Sequence, residues 1–118
     1  MYDYYESISL LTNRFPKLKL IYEENIEDYK DLPYVFYESV FVKYIVSILY
    51  ANDEVELNTI FNFIEELFLN GDEKTKNLVD VAVIESLYYE KDFTEFSKSI
   101  SKFYGELTEK SFKDCCAN

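Results

Sequence analysis

The sequence predicts an all-α fold of six or seven short helices arranged in antiparallel pairs. Three observations carry that prediction. Apolar residues recur at i, i+3, i+4 and i+7 along most of the chain. Two prolines and two glycines punctuate it, at Pro16, Pro33, Gly71 and Gly105, close to where one apolar stripe gives way to the next. Acidic residues stand at helix starts: Asp53 with Glu56, and Asp92 with Glu95, match the spacing of a capping box. The connections are short, which makes neighbouring helices antiparallel. At 118 residues the chain is expected to form one domain, 1–118, burying roughly two-thirds of its unfolded surface.

The first helix covers Tyr4 to Phe15, with Ile8, Leu11 and Phe15 on one side. Pro16 opens the second, Lys17 to Lys30, whose inward residues are Leu18, Ile21, Tyr22 and Tyr29. Pro33 starts the third, which runs to Ala51 and is apolar almost all round, so it belongs at the centre. Ser39, Lys43 and Ser47 are its thin polar stripe. Asp53 caps the fourth helix, striped by Leu57, Ile60, Phe61, Ile64, Leu67 and Phe68. Asn70-Gly71 ends it, with Gly71 expected in the left-handed C′ conformation. Asp72 caps the fifth helix, which runs to Tyr89. A sixth, with Phe93, Phe96, Ile100 and Phe103 inward, stops at Gly105, and a short last helix spans Glu106 to Lys113.

The pair Leu57–Leu69 and Lys74–Leu87, joined by Asn70-Gly71-Asp72 and ending Ile84-Glu85-Ser86-Leu87, resembles a HEAT-type unit. Lys17–Lys30 with Tyr34–Ala51 makes a second, degenerate unit. No strict repeat is present, so a HEAT-like α–α arrangement and a compact helical bundle both stand. In the HEAT-like case the third and fifth helices are the inner ones and line a concave surface.

The net charge is −11, from 12 basic and 23 acidic residues. That argues against nucleic-acid binding, which needs cations to neutralise phosphates. An acidic surface suits a basic protein partner and speeds its association; it also simply keeps a protein soluble. Residues 52–90 hold ten acids and two lysines, −8 of the total. Met1-Tyr2-Asp3-Tyr4 lacks the basic start of a signal peptide, and no apolar run is read as long enough to cross a membrane. The adjacent Cys115 and Cys116 form neither a bridge nor a metal site and are read as inert, which places the chain in a reducing cytoplasm.

Histidine is absent, and with it the commonest general base and zinc ligand. There is no glycine-rich phosphate loop and no calcium-loop pattern. No catalytic residue, cofactor or metal is expected. Glu65 and Glu66 are adjacent and diverge by about 100° on a helix, so they cannot share a substrate. Glu85 is the anomaly. On a helical wheel it shares a face with Val81, Ala82, Tyr88 and Tyr89, away from the wet residues Glu73, Lys76, Asn77 and Asp80. Three readings stand for it: a core or capping carboxylate, a recognition group, or a catalytic acid. A partly buried Glu accepts bonds from a helix N-terminus or a tyrosine hydroxyl. Beside tyrosines it can hold a Lys or Arg by charge and by ring face.

Arg14-Phe15-Pro16, Tyr29-x-x-Leu32-Pro33-Tyr34-Val35-Phe36, Phe63-Ile64-Glu65-Glu66, Asn70-Gly71-Asp72-Glu73 and Ile84-Glu85-Ser86-Leu87 resemble a group of small acidic all-helical bacterial immunity proteins of contact-dependent and polymorphic toxin systems. The resemblance covers residues 14–89 and leaves the last thirty outside it. It implies a monomeric inhibitor that binds a cognate toxin domain 1:1, a basic ribonuclease or other nuclease, with no direct contact to nucleic acid or membrane. The resemblance supplies no binding residues; the acidic and tyrosine positions of the fourth and fifth helices give the candidates Glu65, Glu66, Asp72, Glu73, Asp80, Glu85, Tyr88 and Tyr89, with Tyr37 contributed by the third. Tyr34 is a further candidate there. The alternatives are a HEAT-like adaptor that binds a peptide in a groove, and a small enzyme built on a buried carboxylate pair.

Overall fold

A computed structural model describes residues 1–115. Among them lie eight helices and no strand: α1 (residues 4–14), α2 (Pro16–Glu24), α3 (Ile26–Tyr29), α4 (Pro33–Ala51), α5 (Glu54–Asn70), α6 (residues 73–88), α7 (residues 93–103) and α8 (Glu106–Cys115). The predicted all-α class holds. The predicted second helix is broken in two at Asn25, where the side-chain amide bonds to the Ile21 carbonyl (2.9 Å). A continuing helix would give that carbonyl to the Asn25 backbone N–H, so the side chain competes with the helix and ends it. Ile21, expected inward, is largely exposed, while Leu18 is buried.

The buried apolar residues form one cluster. The stripe Leu57, Ile60, Phe61, Ile64, Leu67 and Phe68 of α5 is buried throughout. Phe15, Phe41 and Phe63 meet at centroid distances of 5.6–6.0 Å, knitting the junction of α1 and α2 to α4 and α5. The radius of gyration is 13.4 Å, the value a compact domain of about this length takes. The helices therefore form a bundle rather than an extended superhelix. α4 has the length and composition to cross a membrane, contrary to expectation. It packs Phe36, Tyr37, Phe41, Ile45 and Leu49 into the bundle core instead.

Both central helices carry a π turn, at Tyr37–Phe41 in α4 and Val79–Glu85 in α6, and the two turns pack against each other. A π turn bonds i to i+5 and so takes an extra residue into each turn. In a regular helix, three consecutive residues fan round about 200° and cannot all face one neighbour. Here Ala82, Val83 and Ile84 are all fully buried. The wider turn fits the unbroken apolar runs of both helices to the core.

Several helix ends differ from their predicted chemistry. Asp53 accepts the Glu56 N–H (3.1 Å), but Glu56 turns to the Tyr44 hydroxyl instead of completing the box. Asp92 makes no cap; it sits at φ 66° and accepts from the Tyr50 hydroxyl (3.0 Å). A full capping box does form at Asp3 and Glu6. Gly71 is extended, at φ −80°, not left-handed. The chain needs glycine there for space. A Cβ would stand 2.5 Å from the Leu67 carbonyl oxygen and 2.7 Å from Thr75 Cγ2. The N-terminal segment also crosses at this point, with the Tyr2 N–H on the Asn70 carbonyl (2.5 Å) and the Asp72 N–H on the Tyr2 carbonyl (2.8 Å). Gly71→Ala is expected to cost about 1–3 kcal/mol, as overpacking does, read as a lower urea midpoint at unchanged slope.

Burial raises the hydroxyl pKa of Tyr37, of Tyr44 and of Tyr104, the last to about 12. For Tyr44 the Glu56 carboxylate adds to the effect. A group whose folded pKa is raised contributes stability that is complete below its unfolded value, near 10 for tyrosine, and is lost as pH climbs towards the folded value. The bundle is therefore expected to lose stability between pH 10 and 12, above its carboxylate range. Chemical denaturation at stepped pH, with tyrosinate absorbance followed in parallel, measures this; a flat midpoint to pH 12 would contradict it.

Candidate functional site

Most of the acidic candidates are engaged by the chain itself. Glu65 reaches from α5 to the start of α8, where it accepts the N–H groups of Leu107 (3.1 Å) and Thr108 (2.9 Å) and the Thr108 hydroxyl (2.9 Å). It is the capping carboxylate that the sequence suggested for Glu85, found on another residue. Gly105 allows the approach, since a Cβ there would lie 2.2 Å from Glu65 Cδ. Glu66 pairs with Arg14 (2.7 Å) and accepts from the Tyr2 hydroxyl (3.3 Å). Arg14 also stands 5.1 Å over the Phe63 ring. Asp72 caps α6 through the Thr75 N–H (2.8 Å), and the bonds from Thr75 hold its carboxyl below the usual carboxylate range. Asp80 accepts from the Ser111 hydroxyl of α8. Glu73 is exposed and loosely paired with Lys76 (3.7 Å).

Tyr37 is corrected. It is fully buried, and its hydroxyl donates to the Ser7 carbonyl (2.7 Å), so it locks α1 to α4 and offers no surface to a partner. Its sequence position on the inner helix was right for a surface only if that face were open, and the π turn closes it against α6.

Glu85 is exposed, contrary to its place on the apolar side of a regular wheel. It closes the π turn of α6, and its wheel neighbours Val81, Tyr88 and Tyr89 are half-buried or exposed as well, so the face it shares with them points outward. It acts across the helix boundary on Tyr34 of α4. The Tyr34 hydroxyl is raised above its ordinary pKa by desolvation first, then by its bond to Glu38, and then by the charges of Glu38 and Glu85. Glu38 lies in the π turn of α4, so the paired π turns present two carboxylates around one tyrosine. Among the described residues neither Glu38 nor Glu85 has an ion-pair partner. Sequence reasoning missed Glu38, although Tyr34 and Glu38 stand at i, i+4 on a predicted helix, which was a readable signal.

Tyr88, three residues after Glu85, is exposed. Tyr89, next to it, is highly exposed, and the two rings meet edge to face at 5.1 Å. Tyr88 lines a different groove, with Phe93 and Phe112. Tyr34 also lines a groove of about 410 Å³ between Tyr4 and α6, bordered by Glu73, Lys74 and Asn77. Chemically, two carboxylates beside a protonated phenol form a receptor for a cation such as Lys or Arg. The ring face adds roughly 0.5–1 kcal/mol at an exposed site.

Fold and site together define a small acidic helical bundle with an anionic, tyrosine-bearing surface between its two central helices. The chain belongs to the family described as Domain of unknown function (DUF7674), whose model matches residues 8–117. No curated protein and no solved structure matches it.

Proposed function

We propose that this chain is a cytoplasmic immunity protein that binds a cognate basic toxin domain, a ribonuclease or other nuclease, and blocks it as a 1:1 complex. One observation carries the reading most: Glu38 and Glu85 are exposed, both act on Tyr34, and among the described residues neither has an ion-pair partner. An incoming Lys or Arg gains from each carboxylate it approaches. A nuclease groove built to hold phosphates supplies such cations, and a surface of carboxylates can occupy it in place of nucleic acid. The net charge of −11 would steer the encounter. The resemblance to contact-dependent and polymorphic toxin immunity proteins points the same way. The enzyme reading wants a buried carboxylate pair, and among the described residues no Asp or Glu is buried.

The test is co-expression. Basic toxin domains encoded beside this gene are expressed alone and with the protein, and growth and RNA integrity are followed. Rescue by one domain's co-expression, with a stoichiometric complex on gel filtration, is the expected result. Several unrelated partners sharing a peptide motif, with no toxicity suppressed, would favour a HEAT-like adaptor instead.

A further inference from the structure

One groove of this acidic protein is rimmed by lysines. A groove of about 390 Å³ opens between the end of α6, the start of α7 and α8. Its floor is apolar: Phe93 and Phe112 stack at 5.3 Å, and Phe112 stacks in turn on Tyr104 at 4.9 Å. Tyr88 closes one side. Lys98 and Lys113 stand at its rim, with the hydroxyls of Thr94, Ser97 and Ser101. Among the described residues no Asp or Glu lines it.

Each lysine leans on a glutamate of its own helix, Lys98 on Glu95 (3.3 Å) and Lys113 on Glu109 (3.6 Å). All four side chains are well over half exposed, and exposed pairs of this kind contribute only about 0–1 kcal/mol. Both lysines thus remain able to turn to an anion. The first turn of α7, which supplies Phe93 and Thr94, has no side-chain cap because Asp92 is turned to Tyr50. Its partial positive charge favours an anion at the same end of the groove.

We infer that this groove binds an amphipathic organic anion, an aromatic or alkyl carboxylate or sulfonate, with its apolar body on Phe93 and Phe112 and its charged end between Lys98 and Lys113. The size fits a small ligand. The site is independent of the Tyr34 cluster and of any toxin. The net charge of −11 disfavours anion binding over the surface at large, so the lysines at this rim matter for holding such a ligand.

Fluorescence titration with anilinonaphthalene sulfonate, followed by displacement with decanoate, tests it on the full chain. Three proteins are compared: wild type, Lys98→Glu/Lys113→Glu, and Lys17→Glu/Lys43→Glu, which has the same net charge but alters exposed lysines elsewhere. The expected result is one dye bound to the wild type, displaced by decanoate, at least tenfold weaker for the groove variant and less than twofold weaker for the other. A cooperative thermal transition in each protein shows that the dye reports the folded state. If the groove variant does not fold, Lys98→Gln/Lys113→Gln takes its place. No dye binding by the wild type, equal weakening in both variants, or no weakening in the groove variant would overturn the assignment.

Discussion

Glu65→Ala is expected to lower the melting temperature by roughly 10 °C. The substitution removes three bonds at once, to the Leu107 and Thr108 N–H groups and to the Thr108 hydroxyl. Loss of a helix cap costs about 1 kcal/mol. Leaving the donors of the buried Thr108 without a partner adds about 1–3 kcal/mol. A total near 3 kcal/mol, at about 4 °C per kcal/mol for a domain of this size, gives the shift. Glu65→Gln keeps a carbonyl oxygen in place and should lose less than half as much. Gly105→Ala breaks the same cap from the other side, because its Cβ would overlap the Glu65 side chain. The two changes are therefore expected to be strongly non-additive: Gly105→Ala should cost little once Glu65 is alanine. Additive losses would show that Glu65 does not hold α8.

The second large effect is on binding. Glu38→Lys/Glu85→Lys replaces both carboxylates at Tyr34 by cations. Both positions are exposed, so stability should move by no more than about 0.5 kcal/mol per site. Affinity for a basic toxin domain should fall by 100-fold or more, since like charges set against each other across an interface cost several kcal/mol. Much of the loss should appear in the association rate and shrink at high salt. Charge reversal at Glu65 or Asp72 would confound folding with binding, whereas Glu38 and Glu85 separate the two.

The fold was legible where periodicity and capping agreed. In α5 the six-residue apolar stripe and Asp53 both point to one helix, and both are found. The bounds of α4 were set by Pro33 and by the turn at Asn52, which takes φ 56°. What escaped was tertiary or irregular. The break at Asn25 depends on a side chain competing with its own backbone. Gly71 resembled a left-handed cap by sequence but is held extended by Tyr2 crossing it. The π turns leave no period in the sequence, and which faces of the two central helices are buried depends on their packing against each other. The partner of Glu65 lies more than forty residues away, beyond any local pattern. Of the site, the acidic and tyrosine character of the two central helices was readable, and so was the i, i+4 relation of Tyr34 and Glu38. Their meeting with Glu85 required the fold.

The most direct measurement of the central claim is paired capture from cells of the protein's own source, with the tagged wild type and the tagged Glu38→Lys/Glu85→Lys variant side by side. The account predicts one basic partner held 1:1 by the wild type and released by raised salt. That partner should be toxic alone and silenced by the wild type, and a folded variant should neither retain nor silence it. Equal retention and silencing by the folded variant, or no stoichiometric toxic partner under toxin-producing conditions, would contradict it.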